Sequence, residues 1–349
     1  MNIVSQVYEQ PTIATSHYQW GLLNHLLQLG CKRIIGTQAQ QTAFSLKQEA
    51  QWQIIQPNLK EKQVALQYMQ QVDYVIHLST AINSYFKGKQ SILVQSIPPK
   101  MSWLAKRAFA KQLHTAHQII VPNTQITTQL NEAFGVPANK IVALAAYALP
   151  QFAPVNFEQA MLIKDGNADG REYFVLVIEG HTNETLTMVL KAFSLFKKWQ
   201  QSSMKLLLLN HHQPVVKDLM ESLKTYRFRE DVVVVDIVTI EQQASLIAAA
   251  YACIHAAPAD GLYMQTVEAM QSKVPVLVND DGTYKDVLGD YALYFEASDI
   301  ESLGHQLKLL YRDESFRAKQ IEQAENFARL QKEQSKQATA EWLAGLSNS

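Results

Sequence analysis

The sequence predicts an α/β protein built from two doubly wound halves, and three observations carry that expectation. Short β-rich runs alternate with helical patterns along the chain, the signature of parallel α/β layers. At 349 residues, the chain is about twice the usual size of a single hydrophobic core. A polar, turn-rich stretch, Lys164-Asp-Gly-Asn-Ala-Asp-Gly-Arg-Glu172, interrupts the pattern near the middle.

In the first half, runs rich in Val, Ile, Tyr and Leu predict strands at 2–6, 33–36, 53–55, 74–78, 92–95, 118–121 and 141–145. Helical patterns between them fall at 18–29, 62–71, 101–114 and 126–134. The second half predicts strands at 173–178, 205–209, 232–238, 252–255, 274–278 and 292–295. These are nearly continuous in Val, Leu and Ile, as in strands covered on both faces. Two capping boxes mark helix starts there, Thr239-x-x-Gln242 and Ser298-Asp299-Ile300-Glu301. From Glu314 to Leu346 the chain is helical and charged, with no further strand expected. The expected organisation is a first domain at 1–151, a linker at 152–172, a second domain at 173–330 and a last helix at 331–349 packing back on the first. No internal repeat of fixed period is found.

Composition narrows the function classes. Hydrophobic residues at 47% and charged residues at 18% describe a soluble globular chain with ample core material. Lys plus Arg is 31 against 32 for Asp plus Glu, a net charge of −1. A nucleic-acid footprint needs a surplus of cations, so none is expected. Two cysteines, Cys31 and Cys253, are too few for a disulfide framework or a cysteine-rich zinc site. The adjacent pair His211-His212 lacks an acidic partner at helical spacing, so no metal site is expected. The start, Met1-Asn2-Ile3-Val4, carries no basic region leading into a long apolar run, and the apolar stretch from Ala244 to Ala259 is too short to span a bilayer. The cytoplasm is the expected compartment.

Several segments together point to a family. Val121-Pro-Asn-Thr124, followed by Phe134-Gly-Val-Pro-Ala-Asn-Lys-Ile141, resembles the hinge region of family 4 glycosyltransferases. Leu190-Lys-Ala-Phe193 and Met204-Lys-Leu-Leu-Leu208 look like the opening βαβ unit of their donor domain. Val267-Glu-Ala-Met270 with Val274-Pro-Val276 is similar to their most characteristic segment, and Gly289-Asp290 with Ala292-Leu-Tyr-Phe295 follows at the expected distance. The resemblance covers 115–315 well and 1–114 weakly. It implies a GT-B fold, two Rossmann-like domains facing a cleft, and retaining transfer of a sugar from a nucleotide donor to a glycan or glycoconjugate, without a required metal.

The resemblance also implies a site, from which this sequence departs. The family clamps the departing diphosphate with two cations after the first donor-domain strand, because charge builds on that leaving group. Here the loop reads Glu179-Gly-His-Thr-Asn-Glu-Thr-Leu186, and aligned on Leu186 the cations fall on Asn183 and Glu184. A carboxylate at 184 also suits the first turn of a helix, where it complements the dipole. The family's pair of glutamates seven residues apart matches Asp260-Gly-Leu-Tyr-Met-Gln-Thr-Val-Glu268. Asp260 would meet the donor sugar, Glu268 the ribose, and the backbone of Gly261, Leu262 and Tyr263 the phosphates. Tyr263 stands where the family prefers glycine, and Asp260 and Glu268 also suit an N-cap and a paired helix carboxylate. On the acceptor side the family's His-Asp pair is replaced by Gln95-Ser96, and its glycine-rich loop by Ile13-Ala-Thr-Ser16. Gln95 keeps only hydrogen bonding.

Other groups near strand ends are candidates for compensation. His181 and His255 each sit just past a strand and read either as satisfied structural histidines or as donors to phosphate, with Lys273 and Lys285 as nearby cations. The segment Lys100-Met-Ser-Trp-Leu-Ala-Lys-Arg-Ala-Phe-Ala-Lys111 reads either as a basic amphipathic helix on the inner face of a membrane or as a helix covering the sheet. Three functional readings stay open. One is an active glycosyltransferase with unusual phosphate contacts. Another is an inactive homologue kept as a binding or scaffold partner of an active transferase. The third is a small-molecule binding protein unrelated to sugar transfer, since fold alone does not fix function.

Overall fold

A computed structural model describes residues 3–6, 13–29, 31, 33–36, 51–54, 60–70, 72–98, 100–145, 148–211, 216–257, 264–280 and 283–348. The chain divides into two compact units, one of residues 1–146 with 333–349 and one of residues 147–332.

In the first unit, β1 (Ile3–Gln6), α1 (Ile13–Gln28), β2 (Arg33–Gly36), β3 (Gln51–Ile54), α2 (Glu61–Tyr68) and β4 (Tyr74–His77) are followed by β5 (Lys89–Leu93), α3 (Trp103–Thr115), β6 (Gln118–Val121), α4 (Thr124–Phe134) and β7 (Ile141–Ala143). The strands are parallel and ordered β3-β2-β1-β4-β5-β6-β7. Ile92, Val94, Ile119 and Val121 pack against Leu113 of α3 and Leu130 of α4 to form one side of the core.

The second unit runs α5 (Phe157–Ala168), β8 (Tyr173–Val177), α6 (Asn183–Gln200), β9 (Lys205–Asn210), α7 (Val216–Leu223), β10 (Val232–Asp236), α8 (Ile240–Ala248) and β11 (Ala252–His255). It continues through α9 (Met264–Gln271), β12 (Val276–Asp280), α10 (Thr283–Leu288), β13 (Leu293–Glu296) and α11 (Ile300–Arg312). The final helix, α12 (Glu314–Asn348), supplies its first residues to this unit and residues 333–348 to the first. Its Trp342 donates from Nε1 to Gln118 of β6 at 2.6 Å. The second sheet is parallel, with order β10-β9-β8-β11-β12-β13. Its core is dense in aromatic and aliphatic groups: Phe174, Leu176, Leu206 and Leu208 from the sheet meet Phe193 and Phe196 of α6 and Leu307 of α11. Burying such groups is the main favourable term in forming the unit.

Both sheets reverse strand order once, between β1 and β4 and between β8 and β11. In parallel α/β sheets such a reversal is where a crevice opens at the strand carboxyl ends. Among the described residues, no helix is long and apolar enough to cross a membrane.

The stretch expected to be a linker at 152–172 is mostly helix. Asn156 caps α5, accepting from the Gln159 N–H at 2.9 Å, and Gln159 returns a bond to the Asn156 N–H at 3.1 Å. The Asp-Gly pair that reads as a turn closes this helix: Asp169 and Gly170 take φ of 51° and 70°, and the Gly170 N–H bonds the Lys164 carbonyl at 3.1 Å. Residues before it also belong to the second unit, because Gln271 of α9 donates to the carbonyls of Leu149 and Phe152 at 2.9 and 2.7 Å. The second capping box shifts by one residue. Asp299, not Ser298, caps α11, and Ser298 adopts φ of 63°. At the first box Thr239 accepts from the Gln242 N–H, but the Gln242 side chain reaches past it to the Val238 N–H.

Candidate functional site

The candidate site is the crevice of the second sheet, between the loops that leave β8 and β11. The β8 loop turns at Gly180, whose φ of 84° is a conformation costly for any residue with a Cβ. That turn sends the His181 ring across to the β11 end. Its Nε2 accepts from the Ala256 N–H at 3.0 Å, and its Nδ1–H donates to the Glu179 carbonyl at 3.3 Å. Both ring nitrogens are therefore engaged, and the accepting Nε2 requires a neutral ring. Burial, and then the neighbouring His255, push the His181 pKa down to about 3. His255 stands edge-on to His181 at 5.3 Å and to Tyr284 of α10 at 5.6 Å. A contact from His181 to phosphate would require one of its two bonds to break.

The next residues open α6. Thr182 caps the helix, its hydroxyl accepting from the Thr185 N–H while the Thr185 hydroxyl accepts from the Thr182 N–H. Asn183 donates to the Asp218 carboxylate at 2.9 Å. Glu184 is exposed, and bonds from the Thr182 hydroxyl and its own N–H hold its carboxyl below the usual range. The helix end that the resemblance would arm with two cations thus shows a tethered amide and an ionised carboxylate.

Beside this helix end lies a cavity of about 640 Å³, lined by Asn183, Glu184, Lys191, Ala256, Asn279 and Ser298 among others. Lys191, two turns along α6 from Glu184, brings a cation to the same wall. Asn279, near the carboxyl end of β12, is buried, and its Oδ1 has no hydrogen-bond partner among the described residues. A buried acceptor left unpaired costs free energy, so a donor entering the cavity is favoured there.

Other expected residues are dispersed. Glu268 lies on α9, 0% exposed, accepting from the Gln243 side chain at 3.4 Å. With burial, it helps push the Cys253 thiol up to about 12, which leaves that thiol inert at neutral pH. Asp260, Gly261, Leu262 and Tyr263 lie outside the described residues, as do His212 and the side chains of Ile13-Ala-Thr-Ser16. Gln95, in the first unit, is buried two residues past the end of β5. The two expected cations are paired elsewhere, Lys273 with Glu325 at 2.7 Å and Lys285 with Asp280. Among the described residues no cluster of three or more His, Cys, Asp or Glu is arranged to hold a metal.

Lys191 and Asn279 join the cavity wall although the sequence pattern does not single them out. Helical spacing from Glu184 through Met188 to Lys191 is a signal that could have found the first. The polar pair ending Val276-Leu-Val-Asn-Asp280 could have found the second.

Residues 159–327 match the family model described as glycosyl transferases group 1. HepE from Anabaena, in complex with UDP and glucose, superposes with a TM-score of 0.80 at 13% identity, covering 99% of this chain and 100% of that one. A glycosyltransferase from Rickettsia africae gives 0.72 at 12%, covering 97% and 98%. WaaG, a glycosyltransferase involved in lipopolysaccharide biosynthesis, gives 0.68 at 11%, covering 97% and 99%. No curated protein matches the chain in sequence. The fold is therefore that of the GT-B glycosyltransferases, two parallel-sheet Rossmann-like units.

Proposed function

We propose that this chain is a glycosyltransferase that takes a sugar from a nucleotide-sugar donor and passes it, with retention, to a glycan or glycoconjugate. The observation that carries the reading is the cavity at the crevice of the second sheet, where the start of α6, Lys191 and the unpaired Asn279 acceptor converge. The match to glycosyl transferases group 1 lies over this unit, and HepE, which shares the fold, binds UDP and UDP-glucose.

In this reading the donor diphosphate sits at the crevice, where helix N-termini stabilise the growing charge without reorganising. Asp260 takes the donor sugar, the backbone of Gly261, Leu262 and Tyr263 the phosphates, and Glu268 reaches the ribose by leaving its buried bond to Gln243. His181 holds the β8 and β11 loops together, and His255 packs beside it. Gln95 hydrogen-bonds an acceptor hydroxyl. In this transfer the departing diphosphate itself accepts the acceptor's proton, so no side-chain base is required. The protein works in the cytoplasm, touching the membrane peripherally through α3, where Trp103 and Leu104 are 69% and 70% exposed beside Lys106 and Arg107.

One observation favours a second reading, an inactive homologue that partners an active transferase. Glu184 is ionised where the diphosphate clamp would stand, and Asn183 is committed to Asp218. The variant Asn183→Arg with Glu184→Lys separates the two. If diphosphate binds there, calorimetry should find UDP affinity raised about five- to tenfold over the parent, the scale of two exposed charge pairs. Unchanged affinity in a folded variant would remove the helix start from the site and favour the partner reading.

A further inference from the structure

The first unit carries a second cavity, of about 1020 Å³, at the edge of its sheet where β4, β5, β6 and β7 begin. This is the edge opposite the strand carboxyl ends. Its lining includes Asp73 before β4, Lys87, Gly88 and Lys89 at the start of β5, His117 before β6 and Lys140 before β7. Three ammonium groups and an imidazole thus share the lining with one carboxylate.

The segments that carry these cations are tied down. The Lys89 N–H bonds the Asp73 carbonyl at 3.3 Å, the His117 N–H bonds the Gln90 carbonyl at 2.7 Å, and the Lys140 N–H bonds the Pro137 carbonyl at 3.0 Å. Lys140 Nζ also donates to the His114 carbonyl at 2.6 Å. Gly88 keeps the turn between two lysines close: a Cβ there would fall 2.4 Å from the Phe86 ring and 3.0 Å from the Asp73 carbonyl. The His117 ring stands edge-on to Tyr74 at 5.8 Å. Its pKa is lowered, first by burial and then by Lys89 and Lys140, and burial lowers that of Lys140. Tyr74 is pushed up to about 12 by burial and stays neutral, so among the described residues of the lining Asp73 is the one acid facing this group. Lysines that disfavour the charge on a neighbouring imidazole leave a positive potential for a ligand to neutralise.

We propose that this cavity is a binding site for a phosphate group, free or esterified. A phosphate offers several charged oxygens to several separate donors, which a cluster of three lysines and a histidine matches better than the two oxygens of a carboxylate do. The volume exceeds that of a bare phosphate and leaves room for the body of an ester. The site belongs to the first unit and does not rest on the donor reading.

An NMR titration of His117 tests this, using the full chain with isotope-labelled histidine and a resonance assigned from His117→Gln. Saturating inorganic phosphate is expected to raise the His117 pKa by about one unit, because a dianion beside the ring reverses the effect of the lysines. Lys89→Ala combined with Lys140→Ala is expected to abolish that rise and weaken phosphate binding about tenfold per lysine. A His117 pKa indifferent to phosphate would overturn the proposal. So would a rise of the same size in the double variant, which would put the ion elsewhere. Cosedimentation with phosphatidylcholine vesicles carrying phosphatidic acid distinguishes the sources. Binding lost in the double variant assigns the phosphate to a lipid headgroup, and binding equal in both, alongside a rise with inorganic phosphate, assigns it to a soluble one.

Discussion

Phe174→Ala is expected to destabilise the second unit by about 3–5 kcal/mol, the cost of deleting a fully buried aromatic ring and leaving its cavity. Phe174 lies on the central strand β8 with no exposed surface. Its ring meets Phe196 of α6 edge-on at 5.3 Å and Tyr251 at 6.0 Å. Phe193 and Phe196 stack at 6.1 Å in the same cluster. The ring therefore joins sheet and helix, and neighbours fixed on two elements cannot collapse into the space it leaves. Urea unfolding followed through the second unit measures the loss. A cost below about 1 kcal/mol would mean that the cluster repacks, contrary to the close packing described here.

Acidification is expected to destabilise the chain through buried histidines. His181 is held down to about 3, and His77, buried against Gln90, to about 4. Unfolding releases both to the ordinary value near 6.5, so below that pH the unfolded chain binds protons that the folded chain refuses. Each group leaves stability untouched above about pH 6.5. From there its contribution falls by about 1.4 kcal/mol per pH unit, until the folded ring itself protonates near pH 3 for His181 and near pH 4 for His77. Comparing His181→Gln with the parent isolates one proton, since glutamine can still accept from the Ala256 N–H. The variant should start less stable at pH 7 and lose less on acidification. Parallel pH profiles would show that His181 is not buried in the neutral form.

The second sheet is legible in the sequence because its four central strands are buried on both faces. The run Lys205-Leu-Leu-Leu-Leu209 is buried throughout β9, and the four valines at 232–235, partly buried on the edge strand β10, are marked by their β-branching. The α5 helix is hidden for a local reason. Gly166 inside it and the Asp-Gly pair ending it carry turn propensity, which the Asn156 cap and the contacts of Gln271 override. At the site, the position of Asn183 and Glu184 after a strand is readable from pattern alone. The role of His181 is not, because its Nε2 partner is a backbone N–H 75 residues away and backbone groups leave no mark in a sequence. Asn279 and Lys191 share a wall with Glu184 only through the parallel order of β8, β11 and β12, which brings distant segments to one edge.

A nucleotide sugar in the crevice of the second unit is the proposal on which the other roles depend. Calorimetric titration of the purified chain with UDP, GDP, ADP and their common sugar conjugates, with and without magnesium, tests it most directly. Micromolar binding of one conjugate, undiminished without magnesium, is the expected result. A well-folded protein that binds no member of the panel would contradict it.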